Sequence, residues 1–89
     1  MHREKIIATG HVQGVGFRFS AQTLAVSLGL TGFVKNMSDG SVYIEVQGDR
    51  QVIGQFCQAI VDIPPDSQAV LSRQDIDVLV SDTDFVIQR

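Results

Sequence analysis

A single cysteine, Cys57, and two histidines nine residues apart, His2 and His11, are the only cysteine and histidine ligands that this 89-residue chain offers a metal ion. One cysteine makes no internal disulfide, and this histidine spacing is not that of a ligand pair, so neither a disulfide framework nor a bound metal is expected. No apolar run approaches the ~20 residues that a membrane-spanning helix needs. The start, Met1-His2-Arg3-Glu4-Lys5, has no secretory h-region, which makes the cytoplasm the expected location. Linkers, repeats and low-complexity segments are also missing, and one domain over residues 1–89 is expected.

Charge is scarce too, at 19% of residues, and unevenly spread. Residues 1–38 carry Arg3, Lys5, Arg18 and Lys35 against Glu4, a net +3, whereas residues 39–89 carry three arginines against nine acids, a net −6. Non-specific nucleic-acid binding wants a broad basic face, which this balance does not provide. A local positive pocket for a small anion remains open. Between Lys5 and Ser38 there is no carboxylate at all, and hence no evident general base.

What that stretch does contain is Gly10-His-Val-Gln-Gly14-Val-Gly16-Phe-Arg18. It follows an apolar strand-like run, Ile6-Ile7-Ala8, and precedes a helical pattern that starts near Phe17. Glycines at a strand-to-helix turn let successive N–H groups point at one spot. The helix N-terminus adds partial positive charge, and an arginine in the first turn adds a planar fork of donors matched to phosphate oxygens. The loop is not a Walker A motif, since no Gly-Lys-Ser/Thr follows. It is not the dinucleotide fingerprint either, for want of a third glycine three residues after Gly16. A tight turn beside a solvated Arg18 is the simpler alternative; the other reading is an anion cradle.

Taken in order, residues 3–10 read as a strand and 17–29 as a helix with an apolar stripe of Ala21, Leu24, Ala25 and Leu28, ended by Gly29. Residues 32–37 and 41–47 read as strands joined by the hairpin signal Ser38-Asp39-Gly40, with Val42, Ile44 and Val46 alternating against Tyr43, Glu45 and Gln47. Asp49 caps a second helix over 50–61, with Ile53, Phe56, Cys57 and Ile60 as its stripe and Pro64-Pro65 as its stop. Cys57 reads as a small core residue. A fourth strand is expected within 68–80, where Ile76, Val78 and Val80 alternate with Asp77 and Leu79, and a last one over 85–88. The order β-α-β-β-α-β is the ferredoxin-like α+β arrangement, an antiparallel sheet with two helices on one face. Phe17, Phe19 and Phe33 read as core or pocket wall. Lys35 is placed on the face opposite Asn36, and Tyr43 on the open face of the sheet. Asn36, next to the hairpin, is by itself an ordinary turn residue.

Two stretches together, Gly10-His-Val-Gln-Gly-Val-Gly-Phe-Arg18 and Gly32-Phe-Val-Lys-Asn36-x-x-x-Gly40-x-Val42-x-x-x-x-x-Gly48, resemble the signatures of the acylphosphatases, in order and with that family's separation between arginine and asparagine. The resemblance fades after Pro65. It implies hydrolysis of a carboxyl-phosphate anhydride to a carboxylate and inorganic phosphate, by direct in-line attack of water and without metal, cofactor or phosphoenzyme. It implies that Arg18 binds the phosphoryl group with the backbone amides of Gly14, Val15, Gly16, Phe17 and Arg18, and that Asn36 holds the water. His11 inherits no role, because its position varies in the family. The implied partners are a small acyl phosphate, with inorganic phosphate or other small anions as competitive ligands; neither nucleic acid nor membrane is implied, and a monomer is expected. Two rival readings differ in class. An RNA-recognition domain shares the fold, yet the paired aromatic strands are missing. A domain of a larger carbamoyl-transfer machine would bring zinc-finger cysteines after the domain.

Overall fold

The computed structural model describes residues 1–88; Arg89, the last residue of the range assigned to the domain, lies outside it. Seven elements follow one another: β1 (His2–Thr9), α1 (Phe17–Ser27), β2 (Thr31–Asn36), β3 (Val42–Gly48), α2 (Arg50–Ile60), β4 (Val70–Ile76) and β5 (Phe85–Gln88). The five strands form one sheet in the order β4-β1-β3-β2-β5. β1, β3, β2 and β4 pair antiparallel, and β5 adds to the outer edge of β2 in parallel. β1, β3 and β2 are the three inner strands, and along most of each of them buried residues alternate with partly exposed ones.

That alternation builds the core. Ile6 and Ala8 of β1, Val34 of β2, and Val42, Ile44 and Val46 of β3 are fully buried against the helices. From the other side come Ala21 and Ala25 of α1 and Ile53, Phe56 and Ile60 of α2, each at 0% exposure. Removing a side chain of the Ile or Phe class from water contributes about 1.5–3 kcal/mol each, so these two stripes hold the helices to the sheet. Asp49 accepts a hydrogen bond from the Gln51 amide at 2.8 Å and starts α2 as expected. Gly29, at φ 72°, takes the left-handed conformation that ends α1.

Gly32 is required by space. A Cβ there would lie 1.9 Å from the Glu45 carbonyl oxygen, at φ 135°. Its N–H donates to the Asp84 carbonyl at 2.8 Å, so the close approach of β2 to β3 and the docking of β5 meet at one residue without a side chain.

Two expectations are corrected. The fourth strand does lie within 68–80, as Val70–Ile76, but the alternation past Ile76 through Val78 and Val80 is not part of it: β4 ends at Ile76 and Val80 is 94% exposed. The chain must leave the β4 edge here to reach β5 at the opposite edge of the sheet, and a ladder cannot continue along that path. The crossing is held by side chains instead. Gln47 accepts from the Leu79 amide at 2.8 Å and donates to the Leu79 carbonyl at 2.9 Å. The guanidinium of Arg3, only 1% exposed, donates to Asp82 at 2.8 Å and to Glu45 at 2.9 Å. Phe33 is neither core nor pocket wall. It stacks on Tyr43 on the open face of the sheet, with ring centroids 5.9 Å apart.

Candidate active site

Residues 10–16 carry the chain from β1 into α1. Val12 and Phe17, each 1% exposed, anchor the two ends of this loop in the core. Between them the backbone turns through Gly14 at φ 80° and Gly16 at φ 76°. A Cβ at either would meet nothing within 4 Å, so backbone conformation, not crowding, calls for glycine there. Gly16 is the N-cap of α1 and supplies no side-chain cap. Val12 N–H donates to Gly10 and Ser20 N–H to Gly16. Among the described residues, the amides of Gly14, Val15, Gly16, Phe17 and Arg18 between them donate to no protein acceptor. Unfilled donors beside the positive end of a helix suit an anion.

Gly14, Gly16, Phe17 and Arg18 line a cleft of ≈ 200 Å³, and Asn36 lines it from the end of β2. Val12, Phe19 and Ile87 complete the wall. Val15, the remaining residue expected in the cradle, does not line the cleft; its side chain packs against the core. Arg18 is half-buried, and its Nη1 donates a long 3.5 Å bond to the Gln88 carbonyl. It is the one charged side chain that lines the cleft among the described residues. Asn36 is exposed, opposite Val42 in the β2–β3 register. It shares its face of the sheet with buried Val34, because side chains on a strand alternate. Lys35 therefore goes the other way, its Nζ 5.9 Å from the Phe33 ring centroid and 5.6 Å from that of Tyr43.

Gln13 has a part that nothing in its sequence context suggests beyond its place in the loop. Its Nε2 donates to the Met37 and Ser41 carbonyls, both at 2.8 Å. These carbonyls flank the hairpin that begins one residue after Asn36, so Gln13 ties the loop to the strand end carrying the asparagine. Two such hydrogen bonds are worth about 0.5–1.5 kcal/mol each. Gln13→Ala is expected to cost about 1–2 kcal/mol in denaturant unfolding, and to lower kcat by about ten- to a hundredfold, since small misplacements are expensive in catalysis. A stability loss with unchanged kcat would make Gln13 a structural tie alone.

The remaining chemistry-bearing side chains stand apart from the cleft. His11 Nδ1 lies 3.3 Å from Asp66 Oδ1, outside the cleft lining. His2 Nε2 lies 3.0 Å from Glu4 Oε2 and 3.2 Å from Asp75 Oδ1. Both Glu4 oxygens also accept from Arg73, at 2.8 and 3.0 Å, and this pairing holds the Glu4 carboxyl below its usual pKa. The group ties β1 to β4. Burial pushes the Cys57 thiol up to about 11, which leaves it protonated and unreactive near neutrality.

The acylphosphatase family model matches residues 4–87. An acylphosphatase of Ligilactobacillus salivarius is 48% identical over 60 residues, 67% of each chain. The crystal structure of acylphosphatase from Bacillus subtilis superposes with a TM-score of 0.92 at 34% identity, covering 100% of both chains. Full-length HypF in its phosphate- and nucleotide-bound form has a region with a TM-score of 0.84 at 30% identity, covering 99% of this chain and 12% of that one.

Proposed function

The chain belongs to the acylphosphatase family, whose reaction is the hydrolysis of acyl phosphates, and from that premise we propose that Arg18 and Asn36 carry the chemistry in the cleft. One observation carries this reading: four residues with unfilled loop amides (Gly14, Gly16, Phe17 and Arg18), a single guanidinium and Asn36 line one cleft.

The phosphoryl group sits on the amides of residues 14–18 with its oxygens bridged by the Arg18 fork, which holds the charge that builds up on them in the transition state. Asn36 orients a water molecule in line with the bond to be broken. The water oxygen bonds to phosphorus, the bond from phosphorus to the acyl oxygen breaks, and the carboxylate leaves with the bonding pair. The attacking water's proton passes to a phosphoryl oxygen. Water and a dianionic acyl phosphate thus become a carboxylate and dihydrogen phosphate. A carboxylate is a good leaving group, so no acid is needed to protonate it. The positive charge that phosphoryl transfer needs comes from the guanidinium and the amides, which supports a reaction independent of metals and cofactors.

Inorganic phosphate and other small anions compete for the same cradle. The full mutual coverage with the Bacillus subtilis enzyme supports a single catalytic domain spanning 1–89. We place it in the cytoplasm as a monomer acting on small acyl phosphates.

The reading is tested by benzoyl phosphate turnover, followed as loss of ultraviolet absorbance with excess chelator present. Neither a guanidinium nor a carboxamide titrates near neutrality, so the expected rate is nearly flat from about pH 5.5 to 8 after correction for substrate ionisation. Competitive inhibition by phosphate is expected. A pronounced inflection inside that window would put a titrating side chain into the chemistry. A folded protein that binds phosphate and hydrolyses nothing would reduce the cleft to a binding site.

A further inference from the structure

The cleft wall divides by chemistry. Its polar part, the loop amides, Arg18 and Asn36, is used in full by the phosphoryl group and the water. What is left for the acyl group is apolar: Phe19, Ile87 and the buried Val12. Phe19 stands out among them. It is 68% exposed although it lies in the first turn of a helix whose neighbouring apolar residue, Phe17, is 1% exposed. Side chains on a helix lean toward its N-terminus, here the end that meets the glycine turn, and Phe19 lines the cleft together with Arg18. Ile87 of β5 is half-buried and packs against the core, which gives the rim one fixed apolar wall. Among the described residues no carboxylate or lysine lines the cleft to recognise a charged acyl group.

We infer that Phe19, backed by Ile87, is an acyl-side platform that makes this cleft prefer acyl phosphates with aromatic or bulky apolar acyl groups over small or charged ones. The inference rests on the acylphosphatase reading of the cleft, in that the phosphoryl end must lie in the glycine loop for the acyl end to meet Phe19. An aromatic acyl group then stacks on an exposed ring face, and water leaves both surfaces. A small acyl group, such as acetyl, is too short to cover that ring.

The test uses two substrates and two inert analogues on the full chain. kcat/KM is measured for benzoyl phosphate and acetyl phosphate, and Kd by calorimetry for benzoylphosphonate and acetylphosphonate, whose P–C bonds do not hydrolyse. Wild type is expected to favour the benzoyl compound in both pairs. In Phe19→Ala the benzoyl-over-acetyl ratio should fall about three- to tenfold in both, the size expected of one aromatic contact. Phe19→Leu, which keeps apolar surface and loses the ring face, should fall part way. Because the ring is mostly in solvent, thermal midpoints should not move. An unchanged ratio in Phe19→Ala, or a wild type with no benzoyl preference, overturns the platform. A wild type that binds benzoylphosphonate selectively through Phe19 and hydrolyses neither substrate leaves the platform standing and overturns the catalytic reading instead.

Discussion

Arg18→Ala is expected to lower kcat/KM for benzoyl phosphate by about 10²–10³-fold, roughly 3–4 kcal/mol of transition-state stabilisation, taking the loss of one preorganised oxyanion donor as the measure. Several features of the site push the effect to that size. The guanidinium is the one charged group lining the cleft among the described residues, so no neighbour there substitutes for it. It is half-buried, where charge-assisted hydrogen bonds count for more than in water. Inorganic phosphate should bind more weakly as well, because Arg18 meets phosphoryl oxygens in the ground state too. Arg18→Lys should recover only part of the rate, since an ammonium is a point charge and cannot bridge two oxygens as a fork does. The fold should not suffer: the one side-chain hydrogen bond of Arg18 among the described residues is a 3.5 Å contact to a carbonyl. Activity loss and denaturant midpoint are therefore separable by measurement. A loss under tenfold would remove Arg18 from the mechanism.

Asn36→Ala is expected to leave a different kinetic signature. Its carboxamide is assigned to the water, and so to an interaction that matters on the way to the transition state. Removal should lower kcat by about 10²–10³-fold while KM moves by no more than about threefold. Inhibition by phosphate should persist, because the cradle and Arg18 are intact. The side chain is exposed and ends a strand, so stability should change by less than about 0.5 kcal/mol. The opposite pattern, a raised KM with kcat preserved, would move Asn36 to substrate binding and leave the water without an assigned partner. With the Arg18 variants, this separates the two tasks proposed for the cleft, holding charge and aligning the nucleophile.

How far the sequence reaches depends on how local each feature is. The proposed anion cradle is written in nine consecutive residues, because a strand entering a turn, glycines at left-handed positions and a helix start are all local matters. The two helices and the central strands were legible for the same reason: the 3.6- and 2-residue periods of their apolar residues report which face is buried. The expectation for Ile76, Val78 and Val80 failed because alternation says that a segment could lie in a sheet, not that a partner edge runs beside it. Phe33 was misplaced because β2 buries its even-numbered side, a phase that its neighbours alone do not settle. Arg3 gave no sign of being buried, since the acid that pairs with it most closely, Asp82, is brought over by a loop from the far end of the chain.

The sequence by itself determined the β-α-β-β-α-β order, the glycine loop with Arg18 at its end and, through family resemblance, the pairing of that loop with Asn36. Only the tertiary structure decided that Asn36 faces the loop, that Gln13 bonds the two together, and that Phe19 and Ile87 form the remaining wall. Those relations join residues from β2, the hairpin, α1 and β5, elements that meet only once strand order and register are set. Local periodicity shows which face of an element is buried, and the pairing of strands distant in sequence decides what that face will meet.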